Sequence, residues 1–212
     1  MYKNLLTCLF ALLLTTPILF AQEYTVEIEE EQKANRLFLN AVNKNLVDLD
    51  VAIKVEGTGF RQRKGIPRKV RVPATSKVNL ISLIVERGQQ AMYTYTLDVT
   101  DSLSRRVIRK EFEKIKIDPK LPITIYIPEN CTNCDSIIAP LNETPYKYKA
   151  YKISEDENVK NQLERAFANS SRPLETIDTA IITLGGSMYL YLTTFEEMMA
   201  KLNEEDEEKT EE

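Results

Sequence analysis

Leu49, Val51, Ile53 and Val55 alternate with Asp50, Ala52, Lys54 and Glu56. A period of two sends alternate side chains to opposite faces, so this stretch suits a strand buried on one side. The same period recurs through residues 22–119. Val70 and Val72 alternate with Lys69 and Arg71, and Tyr93, Tyr95, Leu97 and Val99 alternate with Thr94, Thr96 and Asp98. Val78, Leu80 and the run Ser82-Leu83-Ile84-Val85 give another strand, and Val26 with Ile28, Arg36–Val42 and Phe112–Ile117 add more. About seven short strands over roughly 100 residues, with no amphipathic helix between them, imply an all-β sandwich.

Past Pro119 the texture changes. Ile123-Thr-Ile-Tyr-Ile127 is a compact apolar run fit for a buried parallel strand, and Pro128-Glu129-Asn130 is a short turn. A helix is expected to start at Cys131, with Ile137, Ile138 and Leu141 at helical spacing and Pro140 inside it. Tyr146–Ile153 reads as a second strand, and Asp156–Asn169 as a second helix with Val159, Leu163 and Phe167 on one face. Thr179–Leu184 is a third strand, Gly185-Gly186 a hairpin turn and Met188–Leu192 a fourth strand. Thr193 or Thr194 caps a last helix whose apolar face is Phe195, Met198, Met199 and Leu202. The expected order is β-α-β-α-β-β-α.

The two ends differ from the rest. Residues 1–21 have the layout of a signal peptide: Lys3, an apolar run from Leu5 to Leu14, and Phe20-Ala21 before Gln22. Thr15, Thr16 and Pro17 interrupt a run already shorter than the roughly 20 apolar residues a membrane span needs, so cleavage is expected and no stable span remains after it. Bacterial export to the periplasm or beyond follows from that reading. Residues 203–212 are almost all acidic and are expected to form a disordered tail. The chain has no histidine, which removes Ser-His-Asp and Cys-His catalysis and the commonest metal ligand.

Of three cysteines, Cys8 lies in the expected signal peptide, leaving Cys131-Thr132-Asn133-Cys134. In an exported chain such a pair can close only on itself within one molecule. A Cys-x-x-Cys at a helix start, inside the order given above, resembles the thioredoxin superfamily and its glutaredoxin branch. Ile123-Thr-Ile-Tyr-Ile-Pro-Glu-Asn-Cys-Thr-Asn-Cys134 is similar to the glutaredoxin strand, loop and active site, and Ala180–Leu202 to its closing hairpin and helix. The stretches Leu37-Phe-Leu-Asn40, Arg71-Val-Pro-Ala74 and Tyr93-Thr-Tyr95 resemble Ig-like modules of exported bacterial proteins. Together they imply a multidomain chain: an Ig-like β-sandwich over 22–119 and a thioredoxin-like α/β fold over 120–202.

The resemblance assigns Cys131 as the attacking thiol and Cys134 as the resolving thiol. It puts Ile177 or Asp178 where the family carries the cis-proline that faces the dithiol and steers substrate. It implies no cofactor and no metal, and partners that are protein thiols or disulfides. From the residues alone, Glu129 and Asp135 near the pair act to raise a thiol pKa. Two further readings stay open. One is a non-catalytic adaptor that meets a cell-envelope protein through the β-domain, with the cysteines in a static bond. The other is a metal site, for which two cysteines fall short of four ligands unless two chains share it. Arg61, Arg63, Lys64, Arg68, Lys69 and Arg71 have only Phe60 as a nearby aromatic, so they read as protection of a strand edge and not as a nucleic-acid surface.

Overall fold

The computed structural model describes residues 24–62 and 65–204. The expected signal peptide with Cys8, and the acidic tail from Glu205 onward, lie outside the described residues; Asn203 ends a helix.

The alternating half forms β1 (Glu27–Lys33), β2 (Arg36–Asn43), β3 (Leu49–Thr58), β4 (Phe60–Arg61), β5 (Val70–Val72), β6 (Ser76–Val85), β7 (Met92–Thr100) and β8 (Phe112–Lys114). One sheet runs β1-β2-β6-β4, with β8 also on β6, and a second runs β5-β3-β7. The inward side chains of both sheets share one core: Leu37 and Leu39 of β2 and Leu83 of β6 meet Leu49, Val51 and Ile53 of β3. The apolar residues of the β3 alternation read from sequence, Leu49, Val51, Ile53 and Val55, are all buried. The register of β2 on β6 slips by one, because Asn40 faces Asn79 while Leu39 faces Ile81. Leu80 is therefore the extra residue of a β-bulge.

The second half forms β9 (Ile123–Ile127), α1 (Cys134–Glu143), β10 (Tyr148–Lys152), α2 (Glu157–Phe167), a single 3₁₀ turn (Leu174–Thr176), β11 (Ile181–Leu184), β12 (Ser187–Tyr189) and α3 (Phe195–Asn203). Its sheet runs β10-β9-β11-β12, with only β9 and β10 parallel. Ile137 and Leu141 of α1 pack with Met198 and Leu202 of α3 over Ile123 and Ile125. Val159, Leu163 and Phe167 of α2 join a separate cluster with Ile181. Local chemistry sets the helix starts. Asp156 accepts from the N–H groups of Asn158 and Val159 at 3.0 and 3.1 Å, and Thr194 forms a capping box with Glu197. Gly185 and Gly186, at φ +60° and +94°, supply the left-handed turn that joins β11 to β12.

This architecture corrects the expected fold class. The described residues are mostly β, about 40% strand against 18% helix, spread over several sheets with three helices. A C-terminal thioredoxin-like α/β fold with its larger set of helices is not shown. The physical reason is the balance of periods. The period of two fills the first half with strands, whereas the helical period is sustained only for three helices of 9 to 11 residues. The two halves are knit where they join: the Ile117 N–H donates to the Pro145 carbonyl at 2.7 Å, the Lys147 N–H to the Ile117 carbonyl at 2.8 Å, and Lys116 Nζ to the Asn142 and Thr144 carbonyls.

Candidate functional site

β9 delivers the chain through Pro128-Glu129-Asn130 to Cys131, which is bonded to Cys134 with Cα atoms 5.8 Å apart. The two sulfurs are unequally placed. Cys131 is half-buried, whereas Cys134 is 5% exposed and packs with Ile137 and Leu141. The helix begins at Cys134 and not at Cys131, so the expected start is corrected by three residues. Cys134, therefore, is the sulfur that shares the first turn of α1, where backbone N–H groups lack intrahelical partners.

The reason for the late start lies in the two residues between the cysteines. The Thr132 N–H and hydroxyl both donate to the Asp178 carbonyl, at 2.8 and 2.9 Å. Asn133 sits at the N-cap position of α1, yet its side chain makes no capping bond. Its Oδ1 accepts from the Ala180 N–H at 2.8 Å, and its Nδ2 donates to the Thr193 carbonyl at 2.8 Å. A donor on one side and an acceptor on the other fix which way the amide points. Its Oδ1 also lies 3.6 Å from Cys131 Sγ. The segment between the cysteines is thus tied to the loop before β11 and to the loop before α3.

Of the two residues expected to face the dithiol, Asp178 reaches the segment between the cysteines, where its carbonyl accepts from Thr132. Ile177 is 5% exposed and packs in the cluster with Val159, Leu163 and Phe167 of α2. The contacts that sequence reasoning missed are Thr132, Asn133, Ala180 and Thr193. Two small polar residues between the cysteines were the one available signal, because such side chains compete readily for backbone groups. Among the described residues no three His, Cys, Asp or Glu side chains group as a metal site, and no helix is long and apolar enough to cross a membrane.

Three of the four described residues of the basic cluster have a carboxylate partner. Arg71 pairs with Asp50, Lys69 with Asp98 at 3.0 Å and Arg61 with Glu86 at 4.0 Å. Arg63 and Lys64 lie outside the described residues. No family model matches the chain, and no curated protein and no solved structure matches it.

Proposed function

We propose that the protein carries out thiol–disulfide exchange with partner thiols in an extracytoplasmic compartment, through Cys131 and Cys134. The observation that supports this reading is the asymmetry of the pair, a half-buried Cys131 bonded to a buried Cys134 at the first residue of α1. A partner thiolate attacks the Sγ of Cys131, the more open sulfur. The bond to Cys134 breaks, and Cys134 leaves as a thiolate beside unpaired N–H groups and the positive end of the helix dipole. A second partner thiolate then attacks the partner sulfur of the mixed disulfide and releases Cys131. In sum, two partner thiols become one disulfide, the two protons pass to solvent or to the protein's thiols, and the protein disulfide becomes a dithiol. The reverse sequence reduces a partner disulfide. The test is turnover of insulin disulfides with dithiothreitol as donor, comparing wild type with Cys131→Ser. The variant is expected at the uncatalysed rate; equal turnover by both proteins would refute exchange.

A second reading has its own support, the four hydrogen bonds by which Thr132 and Asn133 hold Asp178, Ala180 and Thr193. Backbone groups spent in this way are not free to pair with an extended substrate, which favours a static bond in an adaptor protein. The reduction potential separates the two. A catalytic pair falls at about −270 to −120 mV, and a structural bond lies below about −300 mV.

A further inference from the structure

The outer edge of β6 is interrupted. β8 pairs with it at Ser76–Val78, and β4 at Ile84 and Val85. Between them, along Asn79–Leu83, no described strand pairs with that edge, a gap of roughly 16 Å at strand spacing. The gap opens onto a cleft of about 680 Å³ on the side of the sandwich. Its floor is apolar: Val51, Ile53 and Val55 of β3, Val70 of β5 and Leu80 of β6. Ile66, 91% exposed, stands at its border.

The charges around the cleft do not balance. Lys54 at its rim is matched by Glu56 at 2.6 Å, and the nearby Lys69 and Arg71 are matched by Asp98 and Asp50. Arg68 and Lys110, which also line the cleft, form no ion pair among the described residues. Lys110 is exposed overall, yet its ammonium rests on the bulged β6 edge, donating to the carbonyls of Asn79 and Leu80 at 2.9 and 3.0 Å. Desolvation there pulls its ammonium below the usual lysine value. A lysine across an open edge keeps free copies from pairing with one another. It also leaves a cation where an incoming strand would lie.

We propose that this cleft receives an extended, acidic segment of a partner protein, which adds a strand to β6 between β4 and β8. The segment's backbone pairs with the open edge, and alternate side chains enter over the apolar floor. Carboxylates on it meet Lys110 and Arg68, which draws the ammonium off the two carbonyls. The site is separate from the cysteines, so its success or failure is independent of the exchange reading.

The experiment is fluorescence anisotropy of the full chain with labelled peptides. One is Thr-Val-Glu-Val-Thr-Val-Glu; a second carries Lys for both Glu, and a third carries Pro for the central Val. The acidic peptide is expected to bind at least about tenfold more tightly than the basic one, and the Pro peptide not to bind. Lys110→Glu should reverse the charge preference, and bound peptide should slow amide exchange at Ser82, whose N–H lies on the side of β6 that β4 pairs. Should Lys110→Glu fold poorly, Arg68→Glu serves in its place. Absence of binding by the acidic peptide, or equal binding of acidic and basic peptides, would overturn the proposal. So would a dimer seen by sedimentation and lost in Lys110→Glu, which would assign the cleft to a second copy of this chain.

Discussion

Asn133 is an N-cap by position that does not cap. Asparagine ranks among the best residues for that place because its side chain can bond to the free N–H groups of the first turn. Here the same amide bridges Ala180 and Thr193 and leaves its oxygen 3.6 Å from Cys131 Sγ. In the disulfide that sulfur has no proton to give. Once the pair is reduced, the Cys131 S–H can donate to Oδ1, and a hydrogen bond made by the neutral form disfavours the thiolate. Asn133→Ala is therefore expected to lower the Cys131 thiol pKa by about half a unit, the worth of a hydrogen bond of under about 1 kcal/mol. Asn133→Asp should raise it by placing a negative charge beside the sulfur. Thiolate absorbance followed against pH in a Cys134→Ser background reads both. A pKa unmoved by either change would remove Asn133 from any role at the sulfur. A purely structural tie would loosen the loops without this opposite pair of shifts.

Strands β3 and β5 show what sequence periodicity reaches and what it misses. The alternation of Leu49, Val51, Ile53 and Val55 placed β3 and its core face, because that pattern is local. It also put Asp50 outside, yet Asp50 is fully buried. Its register partner Arg71 covers it, with Nε 2.5 Å from Oδ1, and the Ser104 N–H donates to Oδ2 at 2.6 Å. Those partners lie 21 and 54 residues away along the chain, beyond any local pattern. The start of α1 was missed for the same reason. Ile137 and Leu141 fix its buried face, but bonds from Thr132 and Asn133 to distant loops fix its first residue. Burial pushes the Asp50 carboxyl up, but the bonds from Arg71 and Ser104 outweigh that and hold it below the usual value. A folded-state pKa below the unfolded one gives stability that is present above the unfolded value, about 4, and lost as pH falls through the folded value. Asp50→Asn should cost about 3 kcal/mol near neutral pH, because it strands Arg71, and should flatten the acid side of the stability profile. Urea midpoints taken from neutral to acid pH check this; a variant with the wild-type acid slope would contradict it.

At the scale of the whole fold, strand outweighs helix among the described residues, and the class expected from the cysteine motif did not hold. Cys-x-x-Cys followed by helical spacing is a short-range signal, and it does not set how many helices a chain makes or how its sheets divide. The same distinction bears on what the disulfide does for stability. The sandwich core around Leu39 and Val51 and the cluster around Val159 and Ile181 contain neither cysteine. The bond joins residues only three apart in sequence, so it removes little freedom from the unfolded chain. Loop-closure entropy for so short a loop gives about 2 kcal/mol. Reduction should therefore lower the unfolding free energy read from urea titration of the full chain by no more than that, while the sheets stay folded. The effect should concentrate where Thr132 and Asn133 hold the other loops. Amides of Thr132 and Ala180, which donate to Asp178 and Asn133, should exchange faster in the reduced protein, and those of Leu39 and Val51 should not. A loss of stability well above about 2 kcal/mol, with faster exchange in the sandwich core, would mean that the bond holds the whole fold. That result would weigh against a pair that opens and closes in each exchange cycle. A small, local effect is what a working dithiol requires, because the fold must survive both of its states.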